Sequence, residues 1–253
     1  MAAITPRVRW GSREVDWTYV PETAGEIAAT ARRLVAEATG TLAFTFVAAS
    51  AVVVNSFTDG ELGLLGMAAA IAVGYALLVA FFHPISGGHL NPAVTVGLVA
   101  ARRMPLSIGL FYIAAQFGGA VVGALLLNVV YDDFIDDAAA SAVLAFDSGM
   151  SAWIAALVEA VLTFVLVVFY FRAYVDPRGD RTMGGLALGM VILFSFLIAF
   201  PLTGAALNLA RVFGADLVAG EWTDFWYYWL GLAGGLVAGF SYEYLFAKPE
   251  EES

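Results

Sequence analysis

The chain carries two similar short stretches, SGGHLNPAVTV at residues 86–96 and TGAALNLARVF at residues 203–213. Each has a glycine-containing approach, then an asparagine, two further residues and an apolar run. Asparagine is a favoured helix N-cap, and proline is favoured at the first helical position because its missing N–H would be unpaired there. Each stretch therefore predicts a loop that ends where a capped helix begins, at Asn91 and at Asn208.

The helix predicted after Asn91 is too short to cross a membrane. About ten residues separate Pro92 from the basic pair Arg102 and Arg103, which is roughly 15 Å of helix and half of a roughly 30 Å hydrocarbon core. Backbone that turns back at membrane depth is tolerated only where it is buried in protein or lines an aqueous cavity. The pattern therefore predicts a re-entrant half-helix between full spans.

The composition indicates a polytopic membrane protein. Of 253 residues 61% are hydrophobic, and the mean hydropathy is +0.82. The absence of cysteine excludes disulfides and thiolate sites, and two histidines are too few for a histidine-built metal site. No nucleotide-binding loop or catalytic set is present, so we expect no enzyme activity, no cofactor and no nucleic-acid partner. The net charge of -10 reflects either acidic loops or a surface suited to high salt, as in halophilic prokaryotes.

Six apolar runs each supply the roughly 20 residues that a full span needs. They lie at residues 34–54, 62–82, 106–130, 151–171, 184–200 and 225–246. The half-helices are predicted at residues 92–101 and from Leu209 onward. Pro21 and Thr23 predict a surface helix that leads into the first span, in a segment that is otherwise a polar tail.

The basic residues give the orientation. Eleven of the twelve Lys and Arg residues fall on one side of a six-span topology, and the twelfth is Arg211. The loops on the other side are acidic and contain no basic residue. The positive-inside rule then predicts a multi-pass protein of the cell membrane with both termini in the cytoplasm.

The two stretches resemble the paired boxes of the major intrinsic protein family, the aquaporins and glycerol facilitators. The first box is Asn91, Pro92 and Ala93, and the second is Asn208, Leu209 and Ala210, with Leu209 where the family usually has proline. The resemblance implies an all-α membrane protein with six transmembrane helices and two re-entrant half-helices, arranged as two inverted repeats.

The resemblance also implies a domain organisation. A cytoplasmic N-terminal segment would cover residues 1–32, the channel domain residues 33–247 and a cytoplasmic tail residues 248–253. The two repeats would lie at about residues 33–131 and 150–247. Each contains three spans, an odd number, which makes the halves inverted in the membrane.

Further site residues follow from the resemblance by their spacing from the two asparagines. The outer selectivity filter would comprise Ile71, Phe196, Ala205 and Arg211. A loop beside the cytoplasmic half of the pore would comprise Gly87, Gly88 and His89. Glu37 and Glu159 are intramembrane carboxylates, for which a proton relay is one interpretation. The resemblance favours a structural role, in which they hold backbone N–H groups near the boxes.

The expected function is passive conduction of water with exclusion of protons and ions. The filter matches neither the usual water-channel pattern nor the usual glycerol-facilitator pattern, so a channel for glycerol or another small neutral solute is the alternative. Two rivals of a different class are an ion-coupled secondary transporter, with Glu37 and Glu159 as coupling groups, and a non-conducting structural membrane protein. The expected partners are water or a small neutral solute, membrane lipid and, from the resemblance, three further copies in a homotetramer.

Overall fold

The computed structural model describes residues 8–10, 13–15, 19–131, 133–134, 138–144, 149–222 and 224–246. Within these ranges the only strands are β1 (Val8–Trp10) and β2 (Arg13–Val15), which pair as a short antiparallel hairpin where the sequence predicted a polar tail. The remaining described residues are helix or loop. The predicted tail at residues 248–253 lies outside the described residues.

The helices follow the predicted order closely. In chain order they are α1 (Ala24–Phe57), α2 (Gly63–Ser86), α3 (Pro92–Ala100), α4 (Leu106–Tyr131), α5 (Ala138–Ser141), α6 (Ala152–Tyr170), α7 (Arg181–Thr203), α8 (Leu209–Ala219) and α9 (Trp229–Ser241). A π-helical turn, Phe171–Val175, extends α6. A 3₁₀ turn, Phe225–Tyr228, precedes α9, and a π-helical turn, Tyr242–Phe246, follows it.

Five of these helices are long and apolar enough to cross a membrane, namely α1, α2, α4, α6 with its π turn, and α7. The sixth predicted span is helical from Phe225 to Phe246, but only its central 13 residues are α-helix. The two half-helices are present as predicted, with nine residues in α3 and eleven in α8. The chain is thus an all-α membrane protein of the expected architecture.

The first helix has 34 residues and is longer than a membrane span requires. Thr23 and Glu26 form a capping box in which the Thr23 hydroxyl accepts from the Glu26 N–H, and the Glu26 carboxylate accepts from the Thr23 N–H. This reciprocal pairing satisfies two otherwise free donors and sets the helix start. As predicted from Pro21 and Thr23, a surface helix leads into the first span. It does so without a break, so no structural boundary separates residues 32 and 33.

The helix contacts map onto themselves when the two halves of the chain are exchanged. Helix α1 packs on α2 and α4, as α6 packs on α7 and α9, while α2 and α7 pack on each other. Each half-helix packs on a helix of the other half of the chain, since α3 contacts α9 and α8 contacts α4. The two predicted repeats are therefore interlocked.

Glycines allow the closest of these contacts. A Cβ atom on Gly119 would lie 2.1 Å from the carbonyl oxygen of Ala38, and one on Gly234 would lie 2.1 Å from that of Ala160. Ala38 follows Glu37 and Ala160 follows Glu159, so the same approach occurs beside each buried carboxylate. Small residues at such positions are how membrane helices reach close packing.

Three basic side chains lie at one end of the molecule. Arg103, after α3, makes a two-pronged salt bridge with Glu243, after α9, with N–O distances of 2.9 Å. Arg178, between α6 and α7, donates to the Phe246 carbonyl at 3.2 Å. Arg33 of α1 lines one cavity together with Arg103. Arg33, Arg103 and Arg178 therefore lie near one another.

Candidate functional site

The two half-helices begin at matching asparagine caps. The Oδ1 atom of Asn91 accepts from the Ala93 N–H at 2.9 Å, and that of Asn208 accepts from the Ala210 N–H at 3.1 Å. Both asparagines have extended backbone, as N-cap residues do. Pro92 occupies the first helical position of α3, where its missing N–H costs nothing.

Each asparagine also reaches the loop of the other repeat. The Nδ2 atom of Asn91 donates to the Leu207 carbonyl, and that of Asn208 donates to the Leu90 carbonyl, both at 2.7 Å. The residue before each asparagine is therefore the acceptor for the other asparagine. This reciprocal pair joins the N-termini of α3 and α8 at the centre of the molecule, and both side chains are buried.

The loops that lead into the half-helices have left-handed backbone at non-glycine positions. Leu90 and Leu207 both have φ of 50°, and Ala205 has φ of 47°. Residues with a Cβ rarely adopt this conformation, which persists only where surrounding contacts enforce it. Gly87 and Gly204, at φ of 98° and 76°, supply the same hand where each preceding helix ends.

A buried carboxylate enforces the first loop. Glu37 Oε1 accepts from the Ser86 hydroxyl at 2.6 Å and the His89 N–H at 3.0 Å, and Oε2 accepts from the Leu90 N–H at 2.8 Å. Oε2 also accepts from Gln116 Nε2 at 2.8 Å. These four donors stabilise a carboxylate that would otherwise be costly to bury.

Glu159 repeats this arrangement in the second loop. Its Oε1 accepts from the Thr203 hydroxyl at 2.6 Å and the Ala206 N–H at 2.9 Å, and its Oε2 accepts from the Leu207 N–H at 2.9 Å. The two glutamates thus hold the two loops with equivalent hydrogen bonds. Sequence reasoning missed Ser86 and Thr203, although each stands five residues before its asparagine, which superposing the two stretches would have revealed.

Arg211 lies beside Phe196 and the second loop. Its Nη2 atom donates to the carbonyls of Ala205 at 3.2 Å and Ala206 at 3.5 Å, and its guanidinium carbon lies 5.6 Å from the centre of the Phe196 ring. Only 3% of Arg211 is exposed. Its Nε atom has no hydrogen-bond partner within the described part of the chain. Three of the four predicted filter residues therefore lie together.

Ile71, the fourth, is fully buried in α2 and belongs to the same apolar cluster as Phe196 and Ala205. The Leu209 side chain, at the start of α8, packs inside the protein in a different apolar cluster that includes Val212 and Tyr228.

The loop with Gly87 and His89 borders a cavity of about 430 Å³ at the basic end of the molecule. Tyrosine hydroxyls hold this loop, because Tyr112 donates to the Ser86 carbonyl at 2.9 Å and Tyr170 donates to the Gly87 carbonyl at 2.8 Å. Gly88, the remaining predicted member, donates its N–H to the Ser86 hydroxyl at 3.1 Å. Neither tyrosine was predicted from the sequence.

Comparisons with known proteins agree with this architecture. The family model described as Major intrinsic protein matches residues 26–242. Aquaporin TIP4-4 of Zea mays is 41% identical over 194 residues, covering 74% of each chain, and Aquaporin TIP4-1 of Zea mays is 37% identical, covering 85% of this chain and 86% of the relative. The X-ray structure of the aquaglyceroporin from Plasmodium falciparum superposes with a TM-score of 0.75 at 23% identity, covering 86% of this chain and 97% of that one.

Proposed function

Because the chain belongs to the major intrinsic protein family, we propose that it is a passive membrane channel that conducts water and excludes protons and other ions. The reciprocal bond pair of Asn91 and Asn208 carries this proposal. It joins two helix N-termini and two amide groups in the buried interior. This point would lie near the membrane midplane, where a solute pathway between inverted repeats is expected.

The asparagines can act as donors to a passing solute. Each amide nitrogen carries two N–H groups, and each uses one of them for the leucine carbonyl of the other loop. The second N–H of each remains for a water oxygen. Each half-helix also contributes roughly half a positive charge at its N-terminus. Two such ends together raise the energy of a cation, as is understood for aquaporin-type pores.

Arg211 and Phe196 would form the outer filter with Ile71 and Ala205. The guanidinium adds a fixed charge that repels cations, and the phenyl ring and isoleucine restrict the width without offering hydrogen bonds. Ala205 leaves space where a larger side chain would not. This feature keeps glycerol as the second candidate solute, which the flux experiment separates from water.

Orientation and assembly complete the proposal. The end that gathers Arg33, Arg103 and Arg178 would face the cytoplasm, so that α3 enters from the cytoplasmic side and α8 from outside. The protein would lie in the cell membrane, and the curated relatives that match it include plant TIP aquaporins. A homotetramer with one pore in each copy remains a proposal from the family resemblance.

Stopped-flow light scattering on proteoliposomes tests the proposal. We expect fast shrinkage with an impermeant osmolyte, a rate linear in the gradient, and no fast re-swelling in glycerol. Fast re-swelling would move the substrate class to polyols. Saturable flux that depends on a proton or sodium gradient would instead indicate an ion-coupled transporter. Rates equal to protein-free vesicles would contradict a conducting role.

Arg211→Ala tests the filter in the same assay. Removal of the guanidinium leaves a wider and uncharged constriction, so we expect glycerol and ammonium permeability to rise while water permeability persists. Arg181→Ala is the matched control, because Arg181 is an exposed arginine at the opposite end of the molecule. Unchanged solute selectivity in Arg211→Ala would contradict the assigned role.

A further inference from the structure

The hydrogen bonds around the two buried glutamates differ in one respect between the repeats. Both repeats hold their loops with a glutamate, a hydroxyl and two backbone N–H groups. The first repeat adds a chain of side chains from Glu37 through Gln116 and Thr95 to the ring of His89. We propose that Gln116 and Thr95 are positioning residues that hold His89 as the Nε2–H tautomer, so that its ring offers a donor to the permeating solute.

The chain of bonds has a defined direction. Glu37 is acceptor-only when ionised and receives Gln116 Nε2 at 2.8 Å, which fixes the amide with its nitrogen toward the carboxylate. The same nitrogen lies 3.0 Å from Thr95 Oγ1, so its second N–H donates to that oxygen. The hydroxyl proton of Thr95 must then point elsewhere.

Two acceptors are within reach of that proton. His89 Nδ1 lies 3.0 Å from Thr95 Oγ1, whereas the Asn91 carbonyl lies 3.4 Å away and already accepts the Thr95 backbone N–H at 3.2 Å. The shorter contact to the freer acceptor is favoured. His89 Nδ1 therefore accepts, and the ring proton resides on Nε2.

The Nε2 edge of His89 is the one left for solute. His89 lines the cavity of about 430 Å³ at the basic end, and within the described ranges no residue hydrogen-bonds Nε2. A fixed donor there would act on a water oxygen as the second N–H of Asn91 and of Asn208 does. The inference thus rests on the proposed channel function, since it assigns a residue to the cytoplasmic half of the same pathway.

The second repeat shows that the fold does not require this chain of bonds. Counting from the two asparagines places Ala206 opposite His89 and Val212 opposite Thr95. The matching glycine contacts at Gly119 and Gly234 place Gly231 opposite Gln116. In the second repeat, residues without polar side chains therefore occupy the positions of His89, Thr95 and Gln116. Glu159 nevertheless holds its loop with the same hydrogen bonds.

The other histidine gives an internal contrast. His83 Nδ1 lies 2.9 Å from the Gly87 carbonyl, and a carbonyl oxygen can only accept, so His83 carries its proton on Nδ1. His83 and His89 are the two histidines of the chain. We therefore expect one histidine of each tautomer in the wild-type protein.

Solid-state NMR of the full chain in lipid bilayers, labelled with ¹⁵N in the histidine rings, tests the inference. Protonated and unprotonated ring nitrogens are well separated in ¹⁵N shift, and His83→Gln assigns the remaining signals to His89. We expect protonated Nε2 and bare Nδ1 for His89. A dominant Nδ1–H form would overturn the inference whatever the flux data show.

Variants test the positioning residues. In Thr95→Val the His89 ring loses its hydrogen-bond partner, so we expect a mixture of the two His89 tautomers. We also expect a water permeability about threefold lower than that of the wild type, which is the rate equivalent of one weak hydrogen bond. Thr95→Ser should restore the wild-type spectrum. Thr41→Val is the matched control, because the buried Thr41 hydroxyl has no described partner.

The outcomes separate this inference from the channel proposal. An unchanged tautomer in Thr95→Val, with Thr41→Val also unchanged, would overturn the positioning role. If Thr95→Val does not fold, Gln116→Met serves as the second variant with the same expected mixture. A wild-type spectrum as expected but without water flux would contradict the channel and leave the assigned ring position intact.

Discussion

At the scale of single residues, Glu37 and Glu159 each accept hydrogen bonds from the loop before a half-helix, but their surroundings differ. Both hold a loop that contains a leucine at φ of 50°. Glu37 additionally receives Gln116, whereas Glu159 has Gly231 at the corresponding place. The Oε1 atom of Gln116 is buried without a described partner, which matters when the glutamate is changed.

We predict that Glu159→Gln is more damaging than Glu37→Gln. An amide in place of either carboxylate turns an acceptor into a donor that faces a backbone N–H, and the expected loss is about 2–4 kcal/mol of unfolding free energy. In Glu37→Gln, a flip of Gln116 lets its Oε1 atom accept the new N–H, so the loss should be about 1 kcal/mol smaller. Thermal unfolding in detergent measures both variants.

The same pair of variants tests the proton-relay interpretation. A structural carboxylate affects stability and leaves the remaining folded protein with flux that is independent of a proton gradient. Wild-type stability in Glu159→Gln, together with loss of proton-driven uptake, would contradict the structural role and support an ion-coupled transporter.

At the scale of elements, glycines allow the helix pairs α1 with α4 and α6 with α9 to pack closely. Gly119 of α4 lies against the backbone of Ala38, whereas its neighbour Gly118 has no atom of the described residues within 4 Å of the place where a Cβ would be. Adjacent glycines with opposite surroundings give a direct test of helix packing.

We predict that Gly119→Ala destabilises the protein by about 3 kcal/mol, because the new methyl group would overlap a backbone oxygen and force α1 and α4 apart. Gly118→Ala is the control and should leave the unfolding temperature unchanged. Equal behaviour of the two variants in detergent would mean that these helices do not pack as closely as the structure has them.

Leu209 stands at the first position of α8, as Pro92 does in α3. Because the N–H at this position has no helical partner, Leu209→Pro should fold. Proline loses part of the packing with Val212 and Tyr228, so we expect the start of α8 to settle differently and the unit water permeability to change. Unchanged permeability at equal protein density would contradict this prediction.

At the scale of the whole molecule, Asp176 joins the loop after α6 to the end of α9. Its carboxylate accepts from the guanidinium of Arg178 at 2.8 Å and from the hydroxyl of Tyr242 at 2.6 Å. The hydrogen bonds from Arg178, and then from Tyr242, hold the pKa of Asp176 well below its ordinary value of 3.8. Arg178 in turn donates to the Phe246 carbonyl.

The sign of the resulting pH dependence follows from the lowered pKa. The stabilisation is fully present above the ordinary pKa near 3.8 and is lost as the pH falls through the lower pKa of the folded state. We predict that Asp176→Asn costs about 1–3 kcal/mol at pH 7, since hydrogen bonds to a charged group are lost. The difference from wild type should persist to about pH 4 and shrink below it, as measured by unfolding in detergent.

The sequence carried most of the fold because the membrane allows few alternatives. Apolar runs of spanning length and two capped half-helices are local patterns, and each appears in the structure at nearly the predicted bounds. The exceptions are short elements. The hairpin at Val8–Trp10 and Arg13–Val15 and the helix Ala138–Ser141 lie in polar or mixed segments whose periodicity is too brief to read.

The sequence alone predicted the position of the half-helices, the internal repeat and a common side for the basic loops, because caps, hydropathy and charge are properties of short segments. The crossing of Asn91 to Leu207 and Asn208 to Leu90 joins residues more than 100 positions apart. The hydrogen-bonded path from Glu37 of α1 to the ring of His89 runs through Gln116, the one glutamine of the chain, which lies on α4. Only the tertiary structure could decide these contacts, because a hydrogen bond depends on the distance and direction between atoms that interlocked repeats bring together.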